Sequence, residues 1–487
     1  MRLALSAFVT GFATLGLEIT ALRLLAPAFG SNILVFSNVV GVVLAGLAAG
    51  AWLGGRWADR RADSRRAGVL LLVAGVLVAL LPSLAHPLLD AARRALVAGS
   101  APLFFWSLAA VTLLVLPPTV LLGAVAPHLV RLRVGRVEEV GRVSGSLSSL
   151  GTAGSLLGTF LPTLVTIPFL GTAATLRILG AVLILGSALL VGWGASAALA
   201  FPLVLALAPL RAAGPGVLEE RDSVYQHVLV EERPDGTRLL LVNEGLAVQS
   251  TWKPGNRLSG TSYDAFVLLD AAKDGGIRSL LDLGLAGGTI VHAFRTERPD
   301  VAITGVEIDP VVLELARRHF DLDGPDLAIR EEDARAFLAR TRRRFGAIAV
   351  DVFRGPHVPF HCATREFFAL ARSRLEPGGA ILMNVAVLSA HDRALTGLLN
   401  TVASVFAETR TWHPEGSKNW FVLASDTPGL KERLAKNPVP DDLAELRREF
   451  VNEIRPVAFD AAAPVFTDDR SPIEIYTDLL FVRTFTD

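Results

Sequence analysis

The fold of the second half of the chain is indicated by Leu280-Leu281-Asp282-Leu283-Gly284-Leu285-Ala286-Gly287-Gly288, a predicted apolar strand that runs into a glycine-rich turn. A helical segment follows this turn. A second apolar strand, Ala302-Ile303-Thr304-Gly305-Val306-Glu307, then follows the helix. Strand, turn, helix and strand in this order predict a βαβ unit with parallel strands, so we expect a soluble α/β domain here.

The glycine turn has the features of a nucleoside-binding loop. Gly284, Gly287 and Gly288 allow a tight turn and close approach of a ligand to the backbone, and Glu307 ends the next strand 19 residues after Gly288. A carboxylate at that place can accept hydrogen bonds from both ribose hydroxyls. The spacing therefore predicts an adenosine with a free 2′-hydroxyl as ligand.

Two more acids end predicted strands, Asp333 in Glu332-Asp333-Ala334 and Asp351 after Ala347–Val350. Ligands of parallel sheets bind at the carboxyl ends of strands, so these acids should face the same crevice as Gly284 and Glu307. Both acids are also ordinary helix N-caps by residue type. The segment after Asp351 contains two prolines and a glycine, which makes capping a poor explanation there.

The region before this unit reads as a β-hairpin. Residues 225–232 alternate apolar and polar, Pro234-Asp235-Gly236 forms a turn, and Arg238–Val242 returns. We assign residues 217–262 to a β-hairpin region and residues 263–487 to the α/β core of a C-terminal domain that spans 213–487.

Charge separates the two halves. Residues 1–212 hold 15 Arg, no Lys and 6 acidic residues, whereas residues 213–487 hold 32 basic and 41 acidic residues. The positive excess lies in short loops between apolar runs, which excludes a nucleic-acid-binding face. The single cysteine, Cys362, excludes an internal disulfide, and the histidines lack ligand spacing, so we expect no metal.

Residues 1–212 are predicted to be a transmembrane domain of six or seven spans. Arginine-rich loops after the second and fourth spans place those loops, and the N-terminus, in the cytoplasm. Six spans return the chain to the cytoplasm; we therefore favour an interfacial or re-entrant segment for the short, proline-containing seventh stretch. The apolar stretches are 3–22, 33–54, 68–89, 102–122, 145–167, 173–192 and 195–210.

Small residues recur at four-residue spacing, at Gly46, Gly50 and Gly54 and again at Gly154 and Gly158, which favours close helix packing. The following loop, 54–61, resembles the signature between the second and third spans of major-facilitator transporters. The resemblance implies shared architecture without establishing transport.

The C-terminal residues resemble spermidine synthases, aminopropyltransferases with a doubly wound, methyltransferase-type (Rossmann-like) sheet. With the membrane half, the chain resembles the fused, major-facilitator-like spermidine synthase proteins of the polyamine aminopropyltransferase family. The motifs that carry the resemblance are Tyr225-Gln226, Ser262-Tyr263-Asp264, the glycine loop, Val306–Asp309, Glu332-Asp333-Ala334, Val350-Asp351 and Leu375–Gly379.

The resemblance implies a role for each matched residue. The donor, or its thioadenosine product, would be held by residues of the first strand, the glycine loop and two strand ends. Tyr263 and Asp264 would bind the acceptor amine, and Asp351 would accept its proton, which the amine must lose before it attacks carbon. The residues implied in donor binding are Gln226, Gly284, Gly287, Glu307, Asp333 and Ala334.

Two positions depart from the family pattern. Ala286 stands where the family has the acid that grips the amine of the aminopropyl group, and Arg354 stands where it has a second acid for the diamine. A guanidinium in that place would repel a cationic acceptor. Other groups that could supply the missing charge are Asp264, His357, Glu366, Asp468 and Asp469.

The reading with most support is a multi-pass cell-membrane enzyme with a cytoplasmic catalytic domain. It would transfer an aminopropyl group from decarboxylated S-adenosylmethionine to a polyamine acceptor such as putrescine, without a metal, and it is compatible with a homodimer. One alternative is an S-adenosylmethionine-dependent methyltransferase with a non-cationic substrate. Another is a non-catalytic, transporter-like protein that binds polyamine or nucleoside.

Overall fold

The structure is a computed structural model. It describes residues 1–29, 33–97, 103–192, 216–223, 225–242, 247–256, 258–353, 358–386, 393–417, 419–474 and 476. The expected 195–210 segment and the residues Arg354 and His357 lie outside the described residues. The chain divides into two compact units near residue 214, and residues 221–227 group with the N-terminal one.

The N-terminal unit is built from apolar helices, and in the described part six of them have the length and hydropathy to cross a membrane. Each of the first six predicted apolar stretches overlaps one of these six helices, and a π-helical turn, Pro162–Thr166, continues the fifth. The α-helical segments are α1 (Arg2–Phe29), α2 (Ile33–Arg60), α3 (Ser64–Val97), α4 (Leu103–Arg133), α5 (Val140–Leu161), α6 (Ile167–Leu170) and α7 (Thr172–Val191). The fifth of the six long helices consists of α5, the π-helical turn and α6.

Glycines bring two helix pairs into close contact. A Cβ atom added at Gly50 of α2 would overlap the carbonyl oxygen of Val120 of α4. On α5, a Cβ atom at Gly154 or Gly158 would overlap the backbone of α1 at Phe8 or Phe12. The four-residue glycine spacing is therefore a packing device, as helices in an apolar solvent need close van der Waals contact.

The C-terminal unit begins with a four-stranded antiparallel sheet rather than an isolated hairpin. Its strands are β1 (Val217–Asp222), β2 (His227–Glu232), β3 (Arg238–Val242) and β4 (Ala247–Trp252), paired in chain order. The strands β2 and β3 pair from Val228↔Val242 to Glu232↔Arg238. The flanking strands were not predicted because neither alternates apolar and polar residues clearly.

An eight-stranded mixed sheet follows. Its order is β12-β10-β11-β9-β8-β5-β6-β7, in which β9-β8-β5-β6-β7 are parallel and β11, β10 and β12 antiparallel. The strands are β5 (Ser279–Leu283), β6 (Ala302–Glu307), β7 (Leu327–Glu331), β8 (Phe345–Val350), β9 (Leu375–Ala386), β10 (Glu408–Trp412), β11 (Asn419–Ser425) and β12 (Arg455–Pro456).

Helices connect the strands and cover both faces of the sheet with separate hydrophobic clusters. Because β5 pairs with β6 on one side and β8 on the other, the strand order reverses direction at β5. A crevice forms at such a switch point, outside the carboxyl ends of the strands. The helices are α8 (Thr289–Glu297), α9 (Pro310–His319), α10 (Ala334–Arg340), α11 (Arg365–Ser373), α12 (Arg393–Ala403), α13 (Leu430–Lys436) and α14 (Ala444–Glu453).

Candidate active site

The glycine loop lies at the switch point, between β5 and α8. Gly284 has a φ of 95°, and a Cβ atom there would overlap the carbonyl oxygen of Asp351 at the end of β8. Only glycine therefore allows the loop and the end of β8 to approach this closely. The N–H of Gly284 donates to the carbonyl of Val306 (3.0 Å), which fixes the loop against β6.

Glu307 is held by backbone donors on both sides. Its Oε2 accepts from the N–H of Ala286 (3.0 Å) and its Oε1 from the N–H of Asp309 (3.0 Å). Burial raises the pKa of this carboxyl to about 6, and the two N–H donors act in the opposite direction. The side chain is 8% exposed. It therefore forms a fixed, largely ionised acceptor beside the glycine loop at neutral pH.

The glycine loop is also hydrogen-bonded to strand β4, through residues that no sequence motif indicates. Ser250 on β4 accepts a hydrogen bond from the N–H of Gly287 at 2.8 Å. The next residue, Thr251, donates its N–H to Thr289 Oγ1 at 3.0 Å. Sheet β1–β4 thus supports one side of the loop. The partners lie 37 residues apart in the chain, and no local pattern marks them.

Asp351 and Tyr263 share one partner, Asn384 on β9. The Nδ2 of Asn384 donates to Asp351 Oδ1 at 2.9 Å and to the hydroxyl of Tyr263 at 3.3 Å. Two of the predicted residues, Asp351 and Tyr263, are therefore brought together. Asn384 was missed, because an asparagine inside an apolar strand carries no motif.

Burial is the main cause of the shifted pKa values of Asp351 and Tyr263. It raises the pKa of Asp351, which is 8% exposed, to about 7, although the hydrogen bond from Asn384 lowers that pKa. Burial, together with the nearby charge of Asp351, raises the pKa of the Tyr263 phenol above its usual range. Asp351 can therefore take up a proton near neutral pH, whereas Tyr263 stays a neutral hydroxyl.

Asp333 has two roles at the start of α10. Its Oδ1 accepts from the N–H of Ala336 (2.9 Å), which caps the helix, while its Oδ2 lies 2.9 Å from Nε2 of His361. The hydrogen bond with His361 lowers the pKa of Asp333. Ala334 is the first helical residue and is buried beneath the cap. Asp333 therefore remains ionised at the end of β7.

Asp264, predicted to bind the acceptor, is occupied by its own loop. Its Oδ1 accepts from the N–H (3.0 Å) and hydroxyl (2.8 Å) of Ser259, and its Oδ2 from the N–H of Gly260 (2.9 Å). Burial raises its pKa despite these donors. In the described structure Asp264 organises the turn that precedes Tyr263.

Gln226 lies in the turn between β1 and β2. The hydroxyl of Ser223 accepts from the N–H groups of Tyr225 (3.0 Å) and Gln226 (2.9 Å), which fixes the backbone of this turn. This turn belongs to residues 221–227, which group with the helical unit. The role of Gln226 in donor binding stays a prediction.

A C-terminal segment packs beside Asp333. Asp468 forms an ion pair with Arg335 of α10 and accepts from Thr364 Oγ1 at 2.8 Å, and its N–H donates to Glu366 at 3.1 Å. Arg335 also donates to the carbonyl of His361 at 2.9 Å. The charges of Asp468 and Glu366 are therefore used to fix this segment.

No family model matches the chain. A probable polyamine aminopropyl transferase of Bifidobacterium longum is 29% identical over 275 residues, 53% of this chain and 61% of the relative. A polyamine aminopropyltransferase of Vibrio vulnificus is 26% identical over 288 residues, 55% of this chain and 94% of the relative. An N-terminal histidine N-methyltransferase of Emericella nidulans is 30% identical over 204 residues, 37% of this chain and 35% of the relative.

The chain thus spans 61% of the length of the Bifidobacterium relative, and roughly half of the chain is matched in the two aminopropyltransferase comparisons. The similarity bears on the C-terminal part and leaves the helical unit unassigned. For that C-terminal part, the chain is thus similar to proteins named polyamine aminopropyltransferase.

Proposed function

We propose that this chain is a membrane-bound aminopropyltransferase of the spermidine synthase type. It would transfer the aminopropyl group of decarboxylated S-adenosylmethionine to a polyamine acceptor such as putrescine. The observation that carries the proposal is the chain of contacts from Tyr263 through Asn384 to Asp351, which lies against the glycine loop at the switch point of the sheet.

The donor's nucleoside would lie between the glycine loop and Glu307. Glu307 would accept hydrogen bonds from the ribose hydroxyls, since each carboxylate oxygen keeps a second lone pair beside its backbone donor. Asp333 and Ala334 would contact the adenine at the end of β7, with Gly284 and Gly287 close to the donor's chain. Gln226 would complete the donor site.

The reaction requires a neutral amine. The nitrogen lone pair of the acceptor attacks the aminopropyl carbon next to the sulfonium. The carbon–sulfur bond breaks, and its electron pair passes to sulfur, which leaves neutral methylthioadenosine. The proton lost from nitrogen passes to Asp351, whose raised pKa suits it to accept a proton near neutral pH. Tyr263 would contact the acceptor, and Asn384 would orient Asp351.

We further propose that the helical unit anchors the enzyme in the lipid bilayer as a multi-pass domain, with the C-terminal unit in the cytoplasm. Six long apolar helices and the arginine-rich loops 56–66 and 131–142 support this placement. A tag at the end of the chain should be digested by protease only when inside-out vesicles are used. Digestion in right-side-out vesicles alone would overturn the orientation.

The test of the activity uses the full chain, purified in detergent and offered decarboxylated S-adenosylmethionine with a panel of amines. The expected products are methylthioadenosine and an amine enlarged by one aminopropyl group, both identified by mass spectrometry. Absence of both products with every amine, under conditions where an established aminopropyltransferase is active, would contradict the proposal.

A second candidate is methyl transfer from S-adenosylmethionine. The histidine N-methyltransferase relative favours this candidate. The uncharged side chain of Ala286 favours it as well, because it does not repel the carboxylate of S-adenosylmethionine. The same side chain offers no carboxylate to the ammonium group of an aminopropyl donor. The same assay with S-adenosylmethionine discriminates the two, because methyl transfer yields S-adenosylhomocysteine.

A further inference from the structure

Asp282 is a carboxyl group for which the fold supplies no partner. It is the fourth of the five residues of β5, where it pairs with Gly305 of β6 and Ala349 of β8. The residue is 0% exposed, and within the described part of the chain neither carboxylate oxygen forms a hydrogen bond. A buried polar group without partners is costly, and such groups concentrate at functional sites.

The side chains of a strand alternate between the two faces of the sheet. Glu307 lies two residues beyond Gly305, and Asp351 two residues beyond Ala349, so both acids project from the same face as Asp282. Burial raises the pKa of Asp282, and the negative charges of Asp351 and Glu307 raise that pKa further. Neither acid forms an ion pair in the described residues. Three carboxyl groups thus lie at the switch point, and no cation among the described residues pairs with them.

We infer that Asp282 makes this pocket selective for a positively charged adenosyl ligand over the neutral thioether left after transfer. The inference rests on the proposed function, because that reaction has such a substrate and such a product. The donor carries a sulfonium and an ammonium group, whereas methylthioadenosine carries no charge. Asp282 is therefore a specificity residue that acts through its charge.

Direct contact is not required for this effect. Charges inside a protein interact across several ångströms far more strongly than in water, so a cation in the crevice favours the ionised form of Asp282 below it. After transfer the charge at sulfur is gone, and with it the attraction. Asp282 would therefore favour binding of the cationic donor over binding of the neutral methylthioadenosine.

The test compares ligand binding by the full-length, detergent-solubilised protein and its Asp282→Asn variant in calorimetry. Asparagine keeps the shape and removes the charge. We expect the affinity for decarboxylated S-adenosylmethionine to fall by about tenfold or more and the affinity for methylthioadenosine to change by less than about twofold. An equal loss for both ligands, or no loss for the donor, would overturn the inference.

Rescue separates charge from shape. Ala286 has a φ of 44°, a left-handed conformation that aspartate adopts more readily than alanine. The double variant Asp282→Asn/Ala286→Asp is expected to recover most of the donor affinity. Ala286→Asp alone, which leaves Asp282 untouched, should add less affinity for the donor than the same change adds to Asp282→Asn. Equal gains would contradict the inference.

The ligand pair also separates this inference from the proposed function. If the unaltered protein binds S-adenosylmethionine but not its decarboxylated form, aminopropyl transfer is overturned. Selectivity is then measured between S-adenosylmethionine and S-adenosylhomocysteine, which differ by one methyl group and the charge at sulfur. A drop of about tenfold in that selectivity in Asp282→Asn still supports the role of Asp282. Binding of none of the four ligands overturns both proposals.

Discussion

Asn384 donates a hydrogen bond to Asp351 Oδ1 at 2.9 Å, and its other close contact on the same Nδ2 atom is the hydroxyl of Tyr263 at 3.3 Å. The amide is 1% exposed and its own Oδ1 has no partner in the described residues. One buried amide on β9 therefore fixes the orientation of the proposed base at the end of β8 and of the phenol that would contact the acceptor.

Removing the proposed base should abolish turnover without abolishing binding. For Asp351→Asn we expect kcat to fall about 10²- to 10⁴-fold, the range typical of a lost general base, because the amide cannot take the acceptor's proton. Donor binding, measured by calorimetry, should survive within about threefold if Asp351 acts on the proton alone. An unchanged kcat would show that another group accepts the proton.

The pH dependence should report the same carboxyl. Burial raises the pKa of Asp351 to about 7, so kcat/KM should fall below pH 7 as the base becomes protonated. The hydrogen bond from Asn384 favours the charged form, and its loss raises the pKa of Asp351. In Asn384→Ala the acidic limb of the kcat/KM profile should therefore move to higher pH. A limb that stays in place, or that moves to lower pH, would contradict this assignment.

Glu307 should affect every adenosyl ligand alike. In Glu307→Gln one oxygen acceptor and the negative charge are lost, and a hydrogen bond to a charged group contributes about 1.5–3 kcal/mol. We expect the affinities for the donor and for methylthioadenosine both to fall about tenfold to a hundredfold in calorimetry. This contrasts with Asp282→Asn, which is expected to affect the cationic ligand alone. A loss restricted to the donor would assign Glu307 to charge rather than to the ribose.

The ion pair between Arg335 and Asp468 should hold the C-terminal segment. The Asp468 side chain is 46% exposed, so Asp468→Asn should lower the free energy of unfolding by only about 1 kcal/mol or less. Locally the effect should be larger, because Thr364 and Arg335 both lose a charged acceptor. Faster hydrogen exchange at 464–472, with unchanged exchange in β5, is the expected result. Asp469→Asn is the matched control, and equal effects of both variants would contradict the role of the pair.

The sequence predicts the part of the site that is coded locally. The strand β5, the glycine loop, β6 and Glu307 lie within 30 residues, so hydropathy period and glycine spacing suffice to predict them. Asp333 and Asp351 follow because each comes after a short predicted strand, β7 being partly exposed and β8 buried. The supports could not be predicted in this way: Asn384 lies 33 residues from Asp351 and Ser250 lies 37 residues from Gly287. Only the pairing of distant strands brings them together.

The same distinction between local sequence and tertiary packing applies to Asp264 and Asp282. Asp264 lies in a motif that resembles the one in spermidine synthases, yet its carboxylate accepts hydrogen bonds from the neighbouring Ser259 and Gly260. Asp282 is part of the predicted βαβ unit, but its lack of partners becomes visible only when β6 and β8 enclose it. Residue type and spacing indicate which groups could react, and tertiary packing determines which of them remain unsatisfied.

The helical unit offers a matched pair of glycines on one helix. Gly154 and Gly145 both lie on α5, but a Cβ atom at Gly154 would overlap the backbone of Phe8 on α1, whereas a Cβ atom at Gly145 would meet nothing within 4 Å. Gly154→Leu should therefore separate the two helices and lower the apparent Tm of the detergent-solubilised protein by several degrees. Gly145→Leu should leave Tm unchanged or raise it slightly, since leucine is the better helix former. Equal Tm values for the two variants would show that close contact between α1 and α5 does not stabilise this unit.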